Sequence, residues 1–250
     1  MQHKINHNMQ IRYRYRQLFS GLPRVVFFQS RHLLLLGIVA SVFWASCRSD
    51  NKKAVDPAAE STAVPAGESP APAAYQGPLL LAITDGKAVM SDSTFISIPH
   101  FTNPEYTIFY CVRHAEKRKD QGDNPDLSAE GEARAKRLGV ILSGDRLERV
   151  FSTNYKRTVQ TAEAVRRSFE KPPAGSAYPP SLQDAWIDET LGANPGKHFL
   201  VVGHQNTIPQ LLNRLKGVST YQNLREDEYD RFYIVVAKSI GTAEVLELHY

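Results

Sequence analysis

The sequence predicts an α/β fold, a three-layer α/β/α sandwich around a mostly parallel central sheet. Two apolar runs, residues 106–112 (YTIFYCV) and 198–202 (HFLVV), are apolar on both faces, as buried parallel strands must be. Segments of helical period alternate with these and other strand-like runs, which places helices on both sheet faces. The composition, 42% hydrophobic and 22% charged over 250 residues, excludes a wholly disordered chain, a collagen-like repeat and a polytopic membrane protein.

The chain opens on a basic leader. Residues 1–46 carry Lys4, Arg12, Arg14, Arg16, Arg24 and Arg31 and no acid. The remainder holds 24 basic against 26 acidic residues, so the formal +4 belongs to the leader and predicts no nucleic-acid partner. Residues 33–45 (LLLLGIVASVFWA) are apolar but too short for a hydrocarbon core of ~30 Å, which needs about 20 helical residues. Basic flank, short apolar core and small residues before Cys47 follow the order of a secretory signal. The arrangement resembles a bacterial lipoprotein signal over residues 1–46, which implies lipidation of Cys47 and a place in the cell envelope, facing the periplasm or exterior. An uncleaved amphipathic anchor and an ordinary secreted start are the alternatives. Residues 47–78 are rich in Ala, Pro, Ser and Glu, hold five prolines, and read as a disordered tether. Residues 79–250 then form one domain. With Cys47 lipidated, Cys111 is the remaining cysteine, set in an apolar run where a packing role is expected.

Within the domain, residues 79–98 read as a short extra hairpin and 106–112 as the first interior strand. Ala135, Leu138, Ile141 and Leu142 mark a helix with Ser128 as N-cap. Residues 149–152 are a short strand. Val159, Ala162, Val165 and Phe169 form the next helix, stopped by Lys171-Pro172-Pro173. After the strand at 198–202, Asn206 or Thr207 caps a helix with Pro209 in its first turn. Residues 231–237 and 243–249 are closing strands.

In an open parallel sheet, ligands bind beyond the carboxyl ends of the strands. The residues there are Arg113-His114-Ala115-Glu116, then Ser152-Thr153-Asn154 with Arg157 in the next helix turn, then Gly203-His204-Gln205-Asn206. Two histidines and two arginines thus converge on one edge near helix starts that favour anions. Guanidinium forks match phosphate oxygens and an imidazole can act as a nucleophile, so the combination points to a phosphate pocket.

These segments resemble the histidine phosphatase (phosphoglycerate mutase-like) superfamily. Arg113-His114 matches its RHG signature. Leu127, Ser128 and Gly131 match its L-[ST]-x-x-G helix start. Ser152, Arg157, Thr158, Gln160, Thr161 and Ala162 match its S-x-x-x-R-[TC]-x-[QE]-T-A segment, and Gly203-His204 its second-histidine strand. The resemblance implies a phosphoglycerate mutase-like fold, His114 as nucleophile through phosphohistidine, and Arg113, Arg157 and His204 around the phosphoryl group. It implies no metal and no cofactor.

Ala115 stands where the family has glycine, which suggests a methyl group narrowing the pocket floor. The segment between the second and fourth motifs is short, as in small SixA-like members, and lacks a clear acidic proton donor. Glu116 and Asp184 are candidate donors, with Asp188 and Glu189 also nearby in sequence. Residues 226–230 could guard the entrance or form a solvated turn. Tyr155 and Trp186 could flank substrate or pack. The expected activity is that of a tethered extracytoplasmic phosphatase acting on a small phosphorylated substrate or a phosphoprotein. A phosphoglycerate mutase and a non-catalytic phosphate-binding lipoprotein are the alternatives.

Overall fold

The computed structural model describes residues 75–250; the leader, Cys47 and most of the expected tether lie outside them. Strands β1 (Leu80–Thr84), β2 (Lys87–Met90) and β3 (Phe95–Ser97) come first, followed by β4 (Thr107–Arg113) and helix α1 (Ala129–Leu142). Next are β5 (Leu147–Ser152), α2 (Lys156–Arg166), β6 (Ala174–Ala177) and α3 (Gln183–Ala193). The chain finishes with β7 (His198–Gly203), α4 (Thr207–Lys216), β8 (Arg231–Ala237) and β9 (Glu244–His249).

Six strands form one sheet in the order β6-β5-β7-β4-β8-β9. The first four run parallel, while β8 and β9 close the edge antiparallel. This is the mostly parallel α/β sheet expected. All seven residues of β4 are buried because both faces are covered. Ile108, Tyr110 and Val112 meet Leu138, Ile141 and Val165 of α1 and α2. Phe109 and Cys111 point the other way, to Ile187 of α3 and to Leu211 and Leu212 of α4. Burial pushes the Cys111 thiol pKa well up, so the side chain behaves as a small hydrophobe there.

The region expected as a hairpin is a three-stranded antiparallel meander, β1-β2-β3. Its first turn is Asp85-Gly86, with φ of 48° and 72° as a two-residue primed turn requires. Leu80, Ile83, Ala88 and Met90 from the meander join the α1 side of the core. Two elements were not expected. Strand β6 (AGSA) carries little apolar side chain and is held by its parallel backbone pairing with β5. Helix α3 buries Ile187, Thr190 and Leu191 over the opposite face. Helix α2 ends at Arg166, before the prolines expected to stop it.

Ser128 is the N-cap of α1, its hydroxyl accepting from Gly131 N at 3.1 Å. Gly131 is required by the closeness of the preceding loop. A Cβ there would lie 2.1 Å from the Glu116 carbonyl oxygen. At the other end of the sheet, His198 Nδ1 meets both carboxylate oxygens of buried Asp145, at 2.9 and 3.0 Å. Tyr75, near the start of the described residues, stacks on His249 with ring centroids 3.7 Å apart.

Candidate active site

The ends of β4 and β7 lie side by side, because they pair in parallel and His114 N donates to Gly203 O at 2.9 Å. That juxtaposition sets the His114 and His204 rings 5.5 Å apart at a 70° interplanar angle. Gly203 allows the sharp exit toward α4, since a Cβ there would approach Thr207 Oγ1 to 2.7 Å. His204 N donates to that same hydroxyl at 2.8 Å, so Thr207 ties down the turn, and α4 has no side-chain cap.

His114 is 3% exposed and its tautomer is fixed from both sides. Nδ1 lies 2.8 Å from Ala115 O, an acceptor only, and therefore carries the proton. On the opposite nitrogen, Arg157 Nε donates to His114 Nε2 at 3.1 Å, so Nε2 bears the lone pair. Burial, and then the Arg113, Arg157 and His204 charges, push the His114 pKa down to about 2; the Ala115 carbonyl opposes them. The imidazole is neutral at working pH, with the lone pair of Nε2 facing a guanidinium.

Arg157 owes its position to a relay across the 118–126 loop. Helix α2 lacks a side-chain cap of its own, and Asn124 Oδ1 accepts from Lys156 N at 2.9 Å instead. Arg157 Nη1 reaches Asp123 O at 3.3 Å, and its guanidinium lies 4.7 Å from the Tyr155 ring centre. Thr161 donates to Arg157 O at 2.7 Å and accepts from Ala115 N at 3.1 Å, joining α2 to the residue after His114. Gln160 accepts from Leu127 N at 2.8 Å and donates to Asp126 at 2.8 Å. These motif residues hold the frame.

Arg113 is 2% exposed and its guanidinium is heavily committed. Nη1 donates to the carbonyls of Arg225, Glu226 and Glu228 at 2.7, 3.1 and 3.0 Å. Nη2 donates to Gln205 Oε1 at 3.0 Å. The Tyr229 ring covers the guanidinium at 4.1 Å. The 225–229 segment, part of the stretch expected either to guard the entrance or to turn in solvent, is thus tied over the site by Arg113.

His204 Nε2 contacts Thr153 Oγ1 at 2.8 Å, and Thr153 Oγ1 contacts Thr158 Oγ1 at 2.9 Å. Burial, then the Arg157, Arg113 and Lys117 charges, push the His204 pKa down to about 4. Arg113, His114, Lys117, Tyr155, Arg157, His204 and Glu226 line one cavity of about 300 Å³. Glu226 brings its carboxylate to 3.6 Å from Arg113 Nη2 and 3.9 Å from Lys117 Nζ. Three cations against one carboxylate leave the cavity cationic, and arginine keeps its charge despite the desolvation that lowers both guanidinium pKa values. A larger depression of about 1040 Å³ adjoins it, sharing Lys117, Arg157 and Glu226.

His114, His204, Arg113 and Arg157 therefore come together. The carboxylates proposed from sequence do not join them. Asp184 lies exposed on α3, lining a separate depression with Gln210 and Arg214. Asp188 pairs with Arg214, and Glu189 is exposed. Glu116 accepts from Arg134 Nε at 2.7 Å and faces the larger depression instead of the His114 cavity. Trp186 stacks on Tyr178 with centroids 4.4 Å apart and packs edge-on to Phe151, a packing role. The Ala115 methyl does not narrow the pocket; it is fully buried against Leu127 and Ala135. Lys117 was missed; Thr153, just after β5, was placed beside the expected site without a role, and Tyr229 only within the 226–230 stretch. Among the described residues no group of three or more His, Cys, Asp or Glu side chains is placed to hold a metal ion.

The sequence comparison agrees with this geometry. Residues 109–176 match the histidine phosphatase superfamily (branch 1). The histidine phosphatase match takes in Arg113, His114, Gly131 and Arg157 and stops before His204. A search of curated proteins found no match. Among solved structures, the protein histidine phosphatase SixA complexed with tungstate is similar at 16% identity and TM-score 0.47, covering 57% of this chain and 96% of that one. A mycobacterial glucosyl-3-phosphoglycerate phosphatase is similar at 10% identity and TM-score 0.47, covering 58% and 99%. Phosphoglycerate mutase from Plasmodium falciparum is similar at 19% identity and TM-score 0.41, covering 58% and 90%.

Proposed function

We propose that this protein is a histidine phosphatase that hydrolyses a phosphomonoester or phosphoramidate through a phosphohistidine at His114. The observation that carries the reading is the His114 tautomer. A buried, neutral imidazole with its lone pair at the cavity has the protonation state a nucleophile needs. A phosphate-binding protein has no use for that arrangement.

In the first step, His114 Nε2 forms a bond to phosphorus while the bond from phosphorus to the leaving oxygen or nitrogen breaks. Arg157, released from Nε2 as the phosphate enters, turns its donors to the phosphoryl oxygens. Arg113 and Lys117 add positive charge where the flattening phosphoryl group spreads its own. In the second step, water attacks phosphorus and the P–N bond breaks, freeing His114. Positioning and fixed charge do most of the work.

The reading extends to the cell. The 33–47 segment supports a lipid anchor on Cys47, and two or more acyl chains would hold the domain stably where one would not. An enzyme so anchored would sit at the cell envelope, facing outward from the cytoplasm. Mass spectrometry of Cys47 in the membrane fraction tests it: an unmodified cysteine contradicts the anchor.

Release of phosphate from an aryl phosphate at mildly acidic and neutral pH, with a chelator present, tests the activity. Turnover unaffected by the chelator and inhibited by vanadate or tungstate is expected. No turnover by the full-length wild type contradicts the phosphatase.

A further inference from the structure

We propose that Thr153 locks His204 as its Nε2–H tautomer, leaving a bare Nδ1 with which His204 carries the proton for the leaving group and for water. The proposal rests on the phosphatase reading and deepens it, supplying the proton donor that the carboxylates fail to provide.

The argument is a count of hydrogens. Thr158 Oγ1 lies 2.9 Å from Thr153 O and 2.8 Å from Tyr155 O, two carbonyls that can only accept. The single Thr158 hydroxyl proton therefore goes to a carbonyl. At 2.9 Å from Thr153 Oγ1, Thr158 Oγ1 then acts as the acceptor, which commits the Thr153 proton to it. Thr153 Oγ1 has only lone pairs left for His204 Nε2 at 2.8 Å, so Nε2 must carry the hydrogen. In the neutral ring, Nδ1 is then unprotonated.

The surroundings favour the neutral ring before substrate arrives. Arg113, Lys117 and Arg157 line the cavity with His204, as do Tyr155 and the carboxylate of Glu226. A phosphate monoanion brings both negative charge and a proton. His204 Nδ1 takes that proton from the phosphate hydroxyl, forming an imidazolium held at Nε2 by Thr153. As His114 Nε2 bonds to phosphorus and the P–O bond breaks, the leaving oxygen takes the proton from Nδ1. His204 returns to neutral, receives a proton from the attacking water as the new P–O bond forms and P–N breaks, and hands it to the departing phosphate. The sum is monoanion plus water giving alcohol plus dihydrogen phosphate, with no proton unaccounted for. Thr153 is a positioning residue; His204 meets the substrate.

Two readouts on the full-length protein test this. In a ¹⁵N-histidine spectrum of the detergent-solubilised chain, assigned by loss of the His204 signals in His204→Asn, wild type should show Nε2–H with Nδ1 bare. Thr153→Ser should keep that pattern and Thr153→Val should mix the tautomers. For turnover, an alkyl phosphate needs leaving-group protonation and a nitrophenyl phosphate does not. His204→Asn should lose on the order of a hundredfold more on the alkyl substrate, the usual scale of general acid catalysis. Thr153→Val should lose about tenfold more there, the worth of one hydrogen bond, and Thr153→Ser should recover it. A wild-type His204 protonated at Nδ1, or equal losses on both substrates, overturns the proposal while leaving the phosphatase intact. Absence of turnover by wild type on both substrates is instead the failure of the phosphatase reading.

Discussion

Arg157 Nε lies 3.1 Å from His114 Nε2, so the lone pair of that nitrogen already accepts a hydrogen bond. The contact keeps the buried imidazole in one tautomer, and in the proposed reaction it is given up as phosphorus approaches. Under the proposed mechanism Arg157 serves as both guard and donor, its guanidinium turning from His114 Nε2 to the phosphoryl oxygens.

The two arginines should fail differently. Arg157→Lys retains charge but loses the planar donor fork, and turnover should fall by about a hundredfold or more, ~3 kcal/mol of transition-state stabilisation. Its melting temperature should stay near wild type, because the Arg157 guanidinium sits at the open cavity and not in the core. Arg113→Lys should lose turnover and stability together. It strips donors from three carbonyls of the 225–229 segment, at a cost of about 1–3 kcal/mol. Paired kinetics and thermal unfolding of both variants check this; equal melting temperatures would contradict the division.

Acid should destabilise the domain before it reaches the carboxylate range. The His204 pKa is held at about 4 and that of His114 at about 2, against 6.5 for an unperturbed histidine. Between those values the unfolded chain binds more protons than the native one, so stability falls as pH drops below about 6.5. Asp145, whose pKa the His198 contact lowers against the opposing effect of burial, adds a further loss below the ordinary aspartate range. Denaturant midpoints measured from pH 8 to pH 4 should decline, most steeply below about pH 6.5. A flat profile would mean that the histidines titrate freely.

Gly131→Ala should disrupt the site from a distance. A methyl group 2.1 Å from the Glu116 carbonyl cannot be accommodated without moving α1 or the loop after His114. Overpacking of this kind costs about 1–3 kcal/mol. Thermal unfolding should show that loss, with reduced turnover because the loop carries the His114 tautomer contact. Unchanged stability would show that the loop moves freely.

The strand and helix framework was legible because periodicity and burial are local signals. Residues 106–112 could only be an interior strand, and Ser128 three residues before Gly131 could only begin a helix. The meander was half legible: Asp85-Gly86 is a strong hairpin signal, but the third strand, FIS, is too short to show a period. Strand β6 is held by backbone pairing, which side chains such as Ala-Gly-Ser-Ala do not report. Helix α3, as long as α2, was hidden because its apolar residues do not gather into one clear stripe. At the site, the two arginines and two histidines were visible because strand ends converge by rule. Glu116 and Asp184 were offered as donors from position along the chain alone, and the structure sets both outside the His114 cavity. Whether a carboxylate meets the nucleophile depends on which way its side chain turns, and Arg134 turns Glu116 aside.

The most direct test is to stop turnover of the full-length protein in alkali after mixing with an aryl phosphate and to map the phosphate by peptide mass spectrometry. The account predicts an acid-labile, alkali-stable phosphate on His114, present in His204→Asn and lost in His114→Ala. A fully active His114→Ala variant, or phosphate trapped on any other residue, would contradict it.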